Sequence, residues 1–271
     1  MELRTKTAKI LFVLLALALI FAAWQLVPEA SGNHYSWYCP HAKGHVQPQV
    51  PELAFVEELD GWYIDHRHSE PDDAERVVYL TFDAGYGNEN VAKILDVLKE
   101  EQVSGCFFIL EGLIRHEPDL VRRMAAEGHT VGNHTMHHRD MSRAGDDALL
   151  AELHGLEDAY RALTGCEMSG FYRPPEGRFS RENLVCAQKN GYKTIFWSFA
   201  YPDWDNDRQP SCEAAKQMIL ENVHNGEVML LHPTSKTNAA ILSDVIHALR
   251  AEGYRFGTMQ ELTCGETEAA E

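Results

Sequence analysis

From Val77 onward the chain alternates between short apolar runs and amphipathic stretches. Val77–Phe82 reads Val-Val-Tyr-Leu-Thr-Phe, with no polar residue placed on a solvent face at every second position, which predicts a strand buried on both sides. Val91, Ile94, Leu95 and Leu98 then recur at helical spacing within Asn90–Glu101. The same unit repeats: a strand over Val103–Leu110 before a helix over Pro118–Glu127, and Thr130–Asn133 before Asp146–Leu163. Next come Gly170–Tyr172 before Arg181–Lys189, Lys193–Phe199 before Cys212–Val223, and Glu227–Leu231 before Asn238–Ala251. A last strand, Tyr254–Thr258, closes the series. Gly128, Gly191 and Gly253 each follow a predicted helix, where a left-handed residue ends the turn without steric cost. Strand–helix alternation with short links predicts a parallel sheet, and in a chain of 271 residues it favours an α/β fold of the distorted (β/α)7 barrel type over an open doubly wound sheet.

The first 72 residues break this pattern. Arg4, Lys6 and Lys9 precede Ile10–Val27, an uncharged run of 18 residues that meets the lower limit for crossing a bilayer. Residues 1–30 therefore read as an export segment. Small residues at Ala30 and Gly32 suit a cleavage site, so a removed signal peptide and a retained membrane anchor both fit, and either puts the rest of the chain outside the cytoplasmic membrane. Residues 31–72, rich in Pro, His and Gly, show no sustained period and read as a spacer that partly packs on the domain. Its histidines His34, His41, His45, His66 and His68 are better explained as solvated loop residues than as ligands. The catalytic domain is then expected over residues 73–263, followed by an acidic tail at 264–271.

Charge and cysteine usage narrow the function. The formal net charge is −17, of which residues 1–30 contribute +1, so the rest of the chain carries −18, which argues against a nucleic-acid partner. No G-x-G-x-x-G or Walker loop points to a nucleotide. The six cysteines are widely spaced without a C-x-x-C pair, which excludes a zinc ribbon, and Cys106 sits in an apolar strand pattern as a buried thiol.

In a parallel barrel the reactive groups collect where strands end, because those loops share one face. Asp83 ends the first predicted strand, His134 the third, Arg173 the fourth and His232 the sixth, while Asp203 follows the fifth. A strand-terminal Asp before Gly is usually a turn former. Five unusual polar residues at the strand ends of one barrel are hard to assign to structure alone. His134-Thr135-Met136-His137-His138 offers imidazoles at spacings of three and four, which suits zinc, or cobalt or nickel; a histidine-rich turn with no metal is the alternative.

Thr81-Phe82-Asp83-Ala84-Gly85, His134-Thr135-x-x-His138, Arg173-Pro174-Pro175-Glu176-Gly177, Asp203-Trp204 and Leu230-Leu231-His232-Pro233, in this order, resemble the five motifs of the polysaccharide deacetylase family with the nodulation-type deacetylase domain. Within that family the chain looks most like the delta-lactam-biosynthetic de-N-acetylases, which act on N-acetylmuramic acid in spore cortex peptidoglycan. The R-P-P-x-G form and Phe196–Ala200 suggest that branch. The resemblance implies that Asp83 is the general base toward the attacking water and that His134 and His138 hold a divalent metal, most simply zinc. It further implies that Arg173 orients Asp83, that Asp203 orients His232, and that His232 is the general acid. Trp204 and Leu231 would line the acetyl pocket. Such a set is chemically coherent, since an amide anion is a poor leaving group and must be protonated as it departs.

Two positions depart from the family pattern. Ala84 stands where the family has a second carboxylate, its third protein ligand, so the metal is expected to be weakly held, with water, Asn88 or Asn90 left to complete the shell. Glu176 stands where an apolar or aromatic residue is usual and is expected at the substrate rim. The reading is therefore an exported, metal-assisted hydrolase that removes N-acetyl groups from cell-wall amino sugars. The alternatives are a deacetylase of another N-acetylglucosamine polymer and a non-catalytic glycan-binding protein on a deacetylase fold.

Overall fold

The computed structural model of the chain describes residues 34–40, 42–69 and 75–264. The export segment at 1–30 and the tail beyond Cys264 lie outside the described residues. In chain order the strands are β1 (His34–Ser36), β2 (Gly61–Trp62), β3 (Arg76–Ala84), β4 (Cys106–Ile109), β5 (Thr130–Asn133) and β6 (Phe171–Tyr172). They continue as β7 (Arg178–Ser180), β8 (Lys193–Ile195), β9 (Phe199–Ala200), β10 (Glu227–Leu231) and β11 (Tyr254–Phe256). A parallel sheet curls in the order β2-β8-β6-β5-β4-β3-β10-β9, with β11 paired to β3, and helices cover its outer face. This is the barrel-like (β/α)7 architecture expected from the alternation. A single antiparallel bridge from Ile64, just past β2, to Glu227 on β10 draws the two sides of the curled sheet together.

β3 shows why the sequence folds this way. Its side chains alternate between the two faces with a period of two. Val78, Leu80, Phe82 and Ala84 join the outer apolar cluster with Val91, Ile94, Leu95 and Leu98 of the helix Glu89–Glu100. Burying each large side chain of this kind contributes about 1.5–3 kcal/mol. Val77 and Tyr79 face inward with Cys106, Phe108 and Ile195. Cys106 is a buried thiol, as its strand pattern predicted, and burial raises its pKa.

The segment read as a spacer is part of the domain, which extends back to His34. β1 pairs with β7, and β2 supplies the edge strand beside β8. Trp37, Val50, Leu53, Phe55, Val56, Tyr63 and Ile64 form a core of their own with Phe179 and Phe196. Aperiodicity was misleading here because the segment is irregular and anchors by scattered aromatics. Its described histidines are dispersed: His34 bonds the Ser142 carbonyl, His45 the Val223 carbonyl and His66 the Glu57 carboxylate.

Candidate active site

A cleft of about 900 Å³ opens where the strands end. Asp83, His134, His138, Glu176, Trp204 and His232 line it, each from a different motif or a different position within one. Asp83 is carried there by the alternation of β3, which turns Ala84 to the opposite face.

Arg173 lies behind Asp83 with no exposed surface. Its Nη1 donates to Asp83 Oδ1 at 2.8 Å, its Nη2 to Thr81 Oγ1 at 2.9 Å and to the Phe196 carbonyl at 3.1 Å, and its Nε to the Ile195 carbonyl at 3.0 Å. The guanidinium also lies over the Phe108 ring, 4.2 Å from its centre. So many fixed partners make it a rigid counter-charge. Burial pushes the Asp83 carboxyl up, but Arg173 first, then His134 and His232, outweigh this and hold it below the usual carboxylate range. Asp83 is thus an ionised carboxylate at neutral pH.

His134 is buried, and its Nδ1 lies 2.8 Å from the Arg173 carbonyl. Since a carbonyl only accepts, Nδ1 carries the proton and Nε2 keeps its lone pair, 3.5 Å from Asp83 Oδ2. Burial lowers its pKa to about 4, so the ring is neutral. The His138 ring centre is 4.9 Å from that of His134. Thr135 and His138 both have positive φ, 68° and 56°, held by Asn133 Oδ1 bonding the Thr135 N–H and Thr135 Oγ1 bonding the His138 N–H. This local strain brings the second imidazole back over the first.

A neutral imidazole with its far nitrogen pinned to a carbonyl is the form that ligates a divalent ion, so His134 fits the metal implied for the family, and the His138 ring beside it offers a second imidazole. The fit extends to two protein ligands. Among the described residues no three His, Cys, Asp or Glu side chains are disposed around one ion. Asn88 caps the following helix and donates to the Thr234 carbonyl, as does Asn90, so neither turns to the cleft. The Ala84 methyl is fully buried in the outer cluster. An aspartate there would be placed in apolar surroundings, and Ala84→Asp is expected to lower the stability of the metal-free protein by about 1–3 kcal/mol, read as a fall in chemical-denaturation midpoint. An unchanged midpoint would show that position 84 opens to solvent.

His137 points away. Its Nδ1 and its backbone N–H both meet the Glu152 carboxylate, each at 2.9 Å. His137→Ala is therefore expected to leave zinc affinity and turnover within about twofold of wild type, with at most a small loss of stability at this half-exposed pair. A large loss of zinc affinity would move the ligand pair.

On the other side of the cleft, His232 Nδ1 lies 2.7 Å from Asp203 Oδ1, and the His232 backbone N–H bonds Asp203 Oδ2 at 2.8 Å. Asp203 is wholly buried behind the imidazole. Burial alone would lower the His232 pKa; the hydrogen bond and charge of Asp203, helped by Asp83, outweigh it and raise the net value. Trp204 is 59% exposed and presents its ring edge-on to His232, 6.2 Å between centres, as an apolar wall. Glu176 lies on the rim as expected, with φ of 54°, and pairs with Arg178 at 3.1 Å. Gly177 follows with φ of 65°, where a Cβ would come within 2.9 Å of both Trp37 and Trp197, so glycine is required for this turn.

One site residue is corrected. Leu231 does not line the cleft: it is buried in the outer cluster with Phe82 and Met229, and Leu230 lines the cleft in its place. Counting by twos back from His232 along β10 would have selected Leu230. Cys39, Tyr86, Leu110, Trp197 and Tyr201 also line the cleft without having been singled out. Cys39 comes from the misread N-terminal segment, and burial raises its thiol to about 11.

The polysaccharide deacetylase family pattern matches residues 70–195. The peptidoglycan-N-acetylmuramic acid deacetylase PdaA of Bacillus subtilis is 33% identical over 248 residues, covering 90% of this chain and 92% of its own length. A peptidoglycan-N-acetylglucosamine deacetylase of Bacillus cereus is 30% identical over 194 residues, 69% of this chain and 88% of its own. The solved structure of Bacillus subtilis PdaA, a family 4 carbohydrate esterase, superposes with a TM-score of 0.79, covering 86% of this chain and 98% of that one.

Proposed function

The chain belongs to the polysaccharide deacetylase family and is an enzyme of that kind, and from this premise we propose that it hydrolyses the acetamido group of N-acetylmuramic acid in peptidoglycan. The observation that carries the chemistry is the pairing, in one cleft, of an ionised carboxylate with an imidazole backed by a buried carboxylate. Asp83 is held as a carboxylate by Arg173, and the proton affinity of His232 is raised by Asp203.

Asp83 takes a proton from water as the water oxygen attacks the acetyl carbon. The C–N bond then breaks, and His232 Nε2–H delivers the proton that the amine nitrogen needs to leave, giving acetate and a free amino sugar. Arg173 keeps Asp83 ionised and aimed at the cleft; Asp203 accepts the Nδ1–H of His232, which leaves Nε2 as the nitrogen that gains and gives up the transferable proton. Trp204 and Leu230 offer apolar surface to the acetyl methyl and the sugar ring. His134 and His138 would hold a divalent ion, zinc or else cobalt or nickel, which would supply Lewis acidity to the hydrolysis. A base with so depressed a pKa needs that help, because by itself it is a poor match for water.

The muramic acid reading is supported by likeness to the Bacillus subtilis enzyme along nearly its whole length. The export reading rests on the basic flank and uncharged run at Ile10–Val27, and would place the enzyme outside the cytoplasmic membrane, facing the wall. The deciding experiment measures acetate released from purified peptidoglycan and from chitooligosaccharides, before and after metal stripping. Release from peptidoglycan at muramic acid, abolished by chelator and restored by zinc or cobalt, is expected. Release from chitooligosaccharides alone would redirect the substrate, and full activity after stripping would remove the metal.

A further inference from the structure

The carboxylate of Asp203 has a partner beyond His232. Asn238, in the first turn of the helix Lys236–Ala251 and 1% exposed, donates from Nδ2 to Asp203 Oδ2 at 2.5 Å and to the His232 carbonyl at 3.1 Å. The two groups that meet this amide nitrogen are both pure acceptors, which decides its orientation: Nδ2 faces Asp203, and Oδ1 faces Tyr201. The Tyr201 hydroxyl donates to that Oδ1 and braces the amide from its other side, while turning the amide over would lose the bonds to Asp203 and to the His232 carbonyl. Asn238 is itself held by Ser235, whose Oγ accepts its backbone N–H at 3.0 Å, and Ser235 N–H bonds the His232 carbonyl at 3.1 Å. A continuous set of bonds thus runs from Tyr201 through Asn238 to both ends of the Asp203–His232 pair.

We infer that Asn238 is a positioning residue for the deacetylation step: its amide, braced by Tyr201, holds Asp203 in the one pose that keeps the second nitrogen of His232 directed into the cleft. The inference rests on His232 being the proton donor of the proposed reaction. Asp203 is a buried anion, and with the His232 backbone N–H and Nδ1–H alone it is held entirely by the residue it must orient. Asn238 gives it an anchor independent of His232. The amide also sets its positive end against the pair and so tempers the proton affinity that Asp203 confers on the imidazole. The other charged groups that face His232 are Asp83 and Arg173, and neither touches Asn238 in the hydrogen-bond network.

Two measurements on the full chain test this. Steady-state deacetylation by Asn238→Ala is expected to show kcat lowered about 10- to 100-fold with KM unchanged, as when a group orienting a reactive residue is lost. Nuclear magnetic resonance titration of the His232 ring is expected to show its pKa raised by roughly half a unit or more. Tyr201→Phe keeps the amide but removes its brace at Oδ1, and is expected to shift both quantities the same way by less; it decides the matter if Asn238→Ala does not fold. A His232 titration unmoved in the folded variants overturns the inference, whatever the loss of rate. Absence of acetate release by the wild-type enzyme, with the titration still moved by Asn238→Ala, would instead overturn the deacetylase reading and leave the positioning role standing.

Discussion

Asp83→Asn is expected to lower acetate release by about 10²- to 10⁴-fold, the usual contribution of a single general base. The amide keeps the shape of the carboxylate, and its oxygen can still accept from Arg173 Nη1, which lies 2.8 Å from Asp83 Oδ1. In the metal-free protein its nitrogen can also face Nε2 of His134, which lies 3.5 Å from Asp83 Oδ2. The site is therefore expected to remain assembled and glycan binding to persist, while the proton from water has nowhere to go. Stability should fall, because Arg173 is buried and loses its counter-charge; the retained hydrogen bond keeps the loss below the roughly 3–5 kcal/mol of an outright broken buried pair. Turnover measured alongside glycan binding separates the two effects. A variant that keeps more than about a tenth of the wild-type rate would place the base elsewhere.

The second large effect is selective for the leaving group. His232→Ala is expected to cut turnover on the acetylated amino sugar by about 10²- to 10⁴-fold, and to affect an activated acetate ester far less. An amine must be protonated as it departs, whereas an activated phenolate leaves unaided. Equal losses on both substrates would point to a ligand or packing role. The same two residues shape the pH profile of kcat/KM. Asp83 must be deprotonated, so activity falls as pH drops through its lowered pKa; His232 must be protonated, so activity falls as pH rises through its raised pKa. A plateau broader than unperturbed groups would give is expected, its basic edge above the ordinary imidazole range, and the basic limb should vanish from the residual activity of His232→Ala. A basic limb that survives unchanged would belong to another group.

The acidic limb lies low because Arg173 is so completely enclosed, and that enclosure was invisible in the sequence. Arg173-Pro174-Pro175 marks an unusual residue at a strand end, but nothing in its spacing shows that Thr81, Ile195 and Phe196 surround the guanidinium. Those residues come from β3, from β8 and from just past β8, which only the curled sheet makes neighbours. Similarly, Asn238 looks like an ordinary helix-start residue three positions after a serine cap. Its second role exists only because the loop carrying Asp203 folds over the same helix end.

What the sequence by itself determined is whatever depends on local periodicity and on order along the chain. The alternation of apolar runs with 3.6-period stretches dictated the parallel sheet, and the strand ends at Asp83, His134, Arg173 and His232 dictated which residues share one face. What only the tertiary structure decided depends on which face a side chain takes and on segments with no period of their own. Leu231 was exchanged for Leu230 by the two-residue alternation of β10, and Ala84 was turned into the outer cluster by that of β3. Residues 34–69 became a wall of the domain through aromatic packing and two short strands, contacts made with β7 and β8 more than a hundred residues away. Local pattern carries no information about such distant partners, because their stabilisation comes from surface buried only once the sheet has curled.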